Sequence, residues 1–171
     1  PVQLAMNKEV AGTVTAPLNK EALNLAGHHF DGHTEIYAHF TGTKKYAMLL
    51  ADEFLRVIHV STHVSLREAC DRVKKDRIID VTQLIADACN QFGIENPRIG
   101  IAGLNPHSSD NGLFGWEEEK AIIPAVNQLK LMGYHVEGPI PPDTLFANAK
   151  CGQYDGCVAM YHDPVSYTPL T

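Results

Sequence analysis

The chain is short of the features that mark several large classes of protein. Its longest apolar runs, such as residues 46–51, fall far below the ~20 residues of a membrane-spanning helix, so we expect no membrane association. No basic segment followed by an apolar stretch opens the sequence, and a secretory signal is not indicated. Positive charge is also scarce, with 14 Lys and Arg against 20 Asp and Glu. Because nucleic-acid binding relies on cationic patches, this balance predicts no nucleic-acid partner.

Cysteine is sparse and forms no metal or redox motif. The 171 residues contain four Cys, none of them in a CxxC pair. Cys70 and Cys89 fall on apolar helical faces and are predicted to be buried, while a pairing of Cys151 with Cys157 stays open. Reduced thiols fit a cytoplasmic protein, which is the location we expect. The sequence also lacks GxGxxG, P-loop and GxSxG motifs, so the usual nucleotide-binding and hydrolase signatures are missing.

The sequence does have a regular alternation of short apolar runs with longer amphipathic ones. This alternation predicts an α/β fold with a parallel or mixed sheet, in which the adjacent runs 46–51 and 55–60 suit an antiparallel pair. We expect extended segments at residues 11–16, 46–51, 55–60, 98–102, 134–136 and 155–160. We expect helices at residues 19–26, 36–40, 81–92 and 116–132, and others that start near Leu66 and Thr144. Ser65 in a capping box and Asp80 as an N-cap mark two of the helix starts.

Three of the nine histidines share a position just after a predicted strand. They are His63, His107 and His162, which follow the runs 55–60, 98–102 and 155–160. In open α/β sheets, ligands bind at the edge formed by the carboxyl ends of parallel strands. Three imidazoles with an open coordination position suit a divalent ion that acts as a Lewis acid. The alternative, which the spacing leaves open, is that each histidine is an independent loop residue.

Other polar residues stand next to predicted helices. His33 and Thr34 precede the helix at 36–40 and could meet an anionic substrate at its N-terminus, although plain N-capping by Thr34 is the simpler interpretation. Lys20 lies just past the run 11–16 and is either a partner for a phosphate or an ordinary solvated lysine. For Asp143, the pattern alone favours a helix cap over a general base.

Six ordered blocks of the sequence resemble one enzyme family. They are Thr15-Ala16-Pro17 with Lys20, Gly32-His33-Thr34-Glu35, Ser61-Thr62-His63 with Leu66-Arg67, Gly103-Leu104-Asn105-Pro106-His107, Gly138-Pro139 with Pro142-Asp143-Thr144-Leu145-Phe146, and Ala159-Met160-Tyr161-His162-Asp163. In this order they resemble the 4-hydroxythreonine-4-phosphate dehydrogenase family of pyridoxal phosphate biosynthesis. The stretch 27–32 looks more like the second branch of that family, which acts on threonate or erythronate 4-phosphate.

The resemblance implies roles for residues whose spacing alone does not assign them. The family's metal ligands correspond to His63, His107 and His162, and its substrate contacts correspond to His33 and Thr34. Family members are homodimers with the active site at the interface. By that analogy His162 reaches the metal from the partner subunit.

The resemblance also implies a fold and two supporting polar residues. The family fold resembles isocitrate and isopropylmalate dehydrogenases, so we expect a three-layer α/β arrangement with helices on both faces of the sheet. Asp143 and Lys20 fall at polar positions near the family's active site, and we expect both to support catalysis.

The implied reaction is a metal- and NAD-dependent oxidation with decarboxylation of 4-phosphohydroxy-L-threonine or a related 4-phosphorylated hydroxy acid. NAD accepts the hydride, and a divalent ion (zinc, magnesium, manganese or cobalt) stabilises the negative charge that develops. The alternative is a non-catalytic metal- or ligand-binding remnant of such an enzyme. A metal-dependent hydrolase is a weaker alternative, since no recognised motif supplies a water-activating carboxylate.

Relative to the family, the sequence differs at both ends. Family chains continue before Pro1, and after Asp163 they carry phosphate- and NAD-binding segments. We therefore expect residues 1–171 to be a single α/β segment matching the central part of the family fold, and the chain alone to be a poor, self-associating dehydrogenase. A reading-frame shift near Asp163 is one hypothesis for the divergent final residues.

Overall fold

The computed structural model describes residues 1–30, 32–110 and 112–162. The frame shift that the sequence suggests near Asp163 lies outside these residues. The chain divides into two compact units, Pro1–Tyr46 and Ala47–Thr171. Whether the whole chain corresponds to one segment of the family fold stays a prediction.

The first unit contains three short helices and little core. They are α1 (Val2–Met6), α2 (Lys20–Leu25) and α3 (His33–Thr41). Asn19 begins α2 by accepting a hydrogen bond from the backbone N–H of Ala22 at 2.9 Å, as a capping side chain should. The strand predicted over residues 11–16 is wrong, because this stretch is irregular and the described part of the unit offers no strand to pair with it.

The second unit is built on a five-stranded mixed sheet. Its strands are β1 (Leu49–Ala51), β2 (Arg56–His59), β3 (Ile99–Ala102), β4 (Val136–Ile140) and β5 (Gly156–Ala159). Their order is β1-β2-β5-β3-β4, with β1 antiparallel to β2 and every other pair parallel. The predicted antiparallel pair and the parallel remainder are both confirmed.

Helices cover both faces of this sheet, which confirms the predicted three-layer α/β fold. They are α4 (Leu66–Arg72), α5 (Lys75–Gln91), α6 (Ile123–Leu131) and α7 (Pro142–Lys150). One apolar cluster joins Val158 of β5 to residues of α5 and α6, and a second joins Cys157 and Ala159 to Leu145 and Phe146 of α7. Because successive residues of a strand point to opposite faces, α7 lies across the sheet from α5 and α6.

Two helix starts differ from the sequence prediction. α5 begins at Lys75 rather than near residue 81, since Ile78 and Ile79 are buried and extend the apolar face past Asp80. The helix predicted over residues 116–132 opens with a π-helical turn, Glu118–Ile122, before α6. Pro124 explains the wide turn, because proline has no N–H for the carbonyl four residues earlier and its ring would collide with it.

Within the described residues, no helix combines the length and the apolar character required to cross a membrane.

Candidate functional site

The candidate site lies at the sheet edge where three parallel strands end. β5 lies between β2 and β3, with Val158 beside both Ile58 and Ile101. The loops after β2, β3 and β5 carry the predicted metal ligands His63, His107 and His162. The topology thus brings three loops from distant parts of the sequence to one edge.

Two of the three histidines line one cavity. His63 and His162 share a cavity of about 410 Å³, which also has Ser61 and Tyr161 in its wall. Ser61 is buried, and its Oγ donates a hydrogen bond to the Met160 carbonyl oxygen at 3.0 Å. This bond ties the start of the His63 loop to the start of the His162 loop. A positive φ of 55° at His63 then turns the backbone sharply.

A fourth histidine adjoins this cavity. His59, at the end of β2, is only 1% exposed, and its ring centroid lies 5.0 Å from that of His162. Burial is the main cause that lowers the pKa of His59 to about 4; the nearby charge of His162 lowers it less, and the hydrogen bond with the Met48 carbonyl oxygen opposes both, so the ring is neutral at pH 7. In the sequence, His59 falls within the predicted strand 55–60. Its contact with His162 depends on the register between β2 and β5, which the spacing of residues does not show.

His107 stands in a tightly folded loop, residues 103–110 and 112–117, here termed the His107 loop. Asn105 organises it, because its Oδ1 accepts hydrogen bonds from the backbone N–H groups of His107 at 3.0 Å and Ser109 at 3.3 Å. The imidazole of His107 stacks on Phe114, with ring centroids 5.1 Å apart. The ring therefore rests within its own loop and outside the cavity of His63 and His162.

The backbone of the His107 loop is strained. Ser108, Ser109 and Asp110 have positive φ values of 46°, 69° and 47°. Each such conformation costs a non-glycine residue ~1–3 kcal/mol, so it persists only where surrounding contacts enforce it. Some of those contacts come from the helix that follows the loop.

Two carboxylates at the start of that helix hold the loop. Glu118 is fully buried, and its Oε1 accepts a hydrogen bond from the Leu104 N–H at 2.8 Å. Glu119 accepts one from Ser109 Oγ at 2.6 Å. In the sequence these acids stand near the N-terminal end of the helix predicted over residues 116–132, where they suit the helix dipole. Their position directly after a strand-end loop, with Pro124 close behind, was the available signal for another role.

Asp143 lies on the wall of a second cavity, of about 210 Å³. Asn105 and Pro106 of the His107 loop form one side, Phe146 forms another, and Tyr161 completes it. Because Tyr161 also lines the cavity of His63 and His162, the two cavities adjoin. The second unit thus gathers Asp143, the His107 loop and the other two histidines into one region.

The helix-cap interpretation of Asp143 is wrong in detail. The N-cap of α7 is Pro141, and Asp143 is the second helical residue. Its Oδ1 accepts hydrogen bonds from the backbone N–H of Thr144 at 2.6 Å and from Thr144 Oγ1 at 3.3 Å. The carboxylate is exposed and keeps its other oxygen available to a ligand in the cavity.

The remaining predicted site residues belong to the first unit. His33 is the half-buried first residue of α3, and Thr34, which follows it, is exposed. The N-cap of α3 is Gly32, so Thr34 does not cap the helix. Lys20 is the exposed first residue of α2. Their roles toward a substrate stay predictions.

The described residues offer part of a metal-binding set. They contain no group of three or more His, Cys, Asp or Glu side chains able to hold a metal ion. The arrangement nevertheless supplies two exposed imidazoles in one cavity, His63 and His162, with His107 on a neighbouring loop. Imidazole nitrogens suit zinc and related divalent ions. The described residues therefore supply two suitable ligands for such an ion in one cavity, and the third predicted ligand lies on the neighbouring loop.

Comparison with known proteins places this chain in a family. The family model described as pyridoxal phosphate biosynthetic protein PdxA matches residues 1–168. The chain is 50% identical over 160 residues to D-threonate 4-phosphate dehydrogenase of Pectobacterium atrosepticum, covering 94% of this chain and 49% of that protein. It is 44% identical over 163 residues to 4-hydroxythreonine-4-phosphate dehydrogenase of Desulforapulum autotrophicum, covering 95% of this chain and 48% of that protein.

Solved structures agree with this assignment. A 4-hydroxythreonine-4-phosphate dehydrogenase from Klebsiella pneumoniae superposes with a TM-score of 0.87 and 48% identity, over 99% of this chain and 52% of that one. The fold and site thus define a member of a dehydrogenase-containing α/β family. The chain belongs to the pyridoxal phosphate biosynthetic protein PdxA family. It spans about half the length of the relatives that it matches.

Proposed function

We propose that this chain forms the central part of a metal- and NAD-dependent dehydrogenase that oxidises a 4-phosphorylated hydroxy acid. D-threonate 4-phosphate and 4-phosphohydroxy-L-threonine are the two candidate substrates, since relatives named for each are similar to this chain. The observation that carries the proposal is the placement of three histidine loops at the ends of the adjacent parallel strands β2, β5 and β3.

In this proposal His63, His107 and His162 hold a divalent ion: zinc, magnesium, manganese or cobalt. When bound, the ion supplies a Lewis acid that stabilises negative charge on the substrate oxygens, and NAD supplies the hydride acceptor. The chain's own residues position these histidines. The bond between Ser61 and Met160 keeps the His63 and His162 loops together, and Asn105 shapes the loop of His107.

Four further residues have proposed roles toward the substrate. His33 and Thr34 bind it, with the imidazole and hydroxyl meeting its polar groups at the first turn of α3. Asp143 and Lys20 support catalysis, the carboxylate as a proton acceptor or donor at the cavity wall and the ammonium as a partner for negative charge.

The metal assignment is tested by calorimetric titration of Zn²⁺ and Co²⁺ into the purified chain. His107→Ala should weaken binding, whereas His135→Ala, which changes an exposed histidine at the amino end of β4, should not. Because imidazole binds a metal only when neutral, affinity should fall as the solution is made acidic. Equal affinity in wild type and His107→Ala would contradict the role of His107.

The proposed homodimer has a sharper test. If His162 acts from the partner subunit, mixing His63→Ala with His162→Ala should restore one complete ligand set in each mixed dimer. The competing arrangement uses His63 and His162 of the same chain, which share a cavity. In that case no mixture restores binding, and this result would contradict the shared site.

The reaction itself is tested by the rise in NADH absorbance with each candidate substrate and the metal. In a complete enzyme that contains this chain, NADH formation with one substrate, lost in His33→Ala while metal affinity is kept, is the expected result, whereas the chain alone should show little turnover. A complete protein that binds metal but shows neither NAD binding by calorimetry nor turnover would favour the non-catalytic alternative.

A further inference from the structure

Glu118 is a fully buried carboxylate at the first position of the π-helical turn. One oxygen, Oε1, accepts the hydrogen bond from the Leu104 N–H, and the other, Oε2, is buried with no hydrogen-bond partner among the described residues. Burying a carboxylate in this way is unfavourable, so an apolar residue would be the better choice for packing alone. Its presence points to a need for the acceptor.

The bond to Leu104 acts at the point where the His107 loop leaves the sheet. Leu104 is the second residue after β3 and lies three residues before His107. The loop then folds back on its own start, since a Cβ at Gly103 would lie 2.5 Å from Ser108 Oγ. The direction set at Leu104 therefore determines where the rest of the loop, including His107, can lie.

The π-helical turn aims two neighbouring side chains at this loop. In an α-helix, adjacent residues point about 100° apart, because the helix has 3.6 residues per turn. In the wider turn that Pro124 imposes, Glu118 reaches Leu104 and Glu119 reaches Ser109. The loop is thus held near its start and near its middle by consecutive residues of one turn.

We propose that Glu118 is a positioning residue for His107, acting through the hydrogen bond that its Oε1 accepts from Leu104. The proposal rests on the proposed function only in taking His107 as a metal ligand. Its own content is that the acceptor at Glu118 sets the conformation of the His107 loop, and with it the affinity of the site for the metal.

Three variants of the full chain test this role. Glu118→Ala removes the acceptor, whereas Glu118→Gln keeps an acceptor oxygen of the same shape and removes the charge. Glu95→Ala is the control, because this exposed carboxylate lies between α5 and β3, outside the His107 loop. The measurements are Zn²⁺ and Co²⁺ affinity by calorimetry and backbone hydrogen exchange without metal.

The expected result distinguishes a local change in the His107 loop from a loss of stability of the whole fold. Glu118→Ala should weaken metal binding about tenfold or more, as loss of partners that orient a ligand does, and should speed exchange at Leu104 and His107 but not at Val158 in β5. Glu118→Gln should restore most of the affinity and protection, and Glu95→Ala should match wild type.

Two results would overturn the proposal. Unchanged exchange at Leu104 and His107 in Glu118→Ala would show that the acceptor does not hold the loop. A Glu118→Gln variant as impaired as Glu118→Ala would show that the charge, and not the acceptor, matters. Failure of the proposed function is seen separately, as metal binding that His107→Ala leaves unchanged, and the exchange data still decide whether Glu118 holds the loop.

Discussion

The two units of the chain stabilise their structure in different ways. Among the described residues of Pro1–Tyr46, Ala38 is the single buried hydrophobic one, and large apolar side chains such as Val14 and Leu25 are exposed. The second unit instead packs two apolar clusters against the two faces of its sheet. The first unit therefore depends on local devices such as helix caps, and the second depends on tertiary burial. The difference predicts how each unit responds to substitution.

The largest effect is expected from a core truncation. Ile85 of α5 is fully buried, and its Cδ1 would lie 2.7 Å from a Cβ at Gly156, so it fills the space between helix and sheet. Ile85→Ala should lower the free energy of unfolding by ~2–5 kcal/mol. Leu25→Ala, at a side chain 83% exposed in the first unit, should change it by ~0.5 kcal/mol or less. Equal losses of unfolding free energy for the two variants in urea denaturation would contradict this difference between the units.

A second pair of variants compares glycines. Gly138 has φ of 156°, and a Cβ there would lie 2.6 Å from the Ile101 carbonyl oxygen, a backbone atom that cannot easily move. Gly27 has φ of 83° with open space around it. Gly27→Ala should cost ~1 kcal/mol through backbone strain alone. Gly138→Ala should add ~1–3 kcal/mol of overpacking to its strain.

Thermal unfolding of both variants measures these glycine effects. A Gly138→Ala protein as stable as Gly27→Ala would show that β3 and β4 separate more easily than their contacts indicate.

The helix caps give a smaller but more diagnostic comparison. Ser65 accepts a hydrogen bond from the Glu68 N–H at 3.2 Å in the second unit, and Asn19 caps α2 in the first. Ser65→Ala should lower the stability of the main transition by ~1 kcal/mol. Asn19→Ala should reduce helical circular dichroism without moving that transition. A shift of the same size from Asn19→Ala would show that the units unfold together.

The smallest expected effect concerns acid. Hydrogen bonds from the Arg98 side chain hold the pKa of Asp155 below its usual value. Because the pKa is lower in the folded state, this contribution is present above the unfolded pKa of ~3.9 and is lost as pH falls through the lower folded value. Wild type should therefore lose roughly 1 kcal/mol or less relative to Asp155→Asn between pH 5 and pH 3. An equal change of stability in wild type and Asp155→Asn between the two pH values would contradict this role of the Asp155 carboxylate.

The sequence predicted most of the second unit and less of the first. Buried strands such as β3 and β5 are continuous apolar runs, which is what a parallel sheet covered on both faces requires. Residues 11–16 have a similar composition but pair with no strand among the described residues, and a local pattern does not show whether a partner strand is available. The sequence predicted Asp80 as an N-cap. The buried Ile78 and Ile79 before it belong to the same helical face, so α5 begins earlier.

The site divides along the same line. The shared edge of the His63, His107 and His162 loops follows from strand order and could be predicted. The contacts that orient those side chains could not be predicted. Some join residues that are remote in sequence, and others involve residues for which the sequence suggests a different role. The ring of His59 meets His162 through register, and Glu118 reaches Leu104 through a π-helical turn that periodicity does not signal.

The strand order also has a consequence for synthesis on the ribosome. β5 forms the centre of the sheet, yet it is the final strand among the described residues. Ser61 and Met160, whose hydrogen bond joins the segments after β2 and β5, are 99 residues apart. At translation rates of ~5–20 residues per second, β2 and β3 are synthesised several seconds before β5, the strand that pairs with both. During that interval both present open edges to other nascent chains. The edges of β2 and β3 that pair with β5 thus stay unpaired in the nascent chain until β5 emerges.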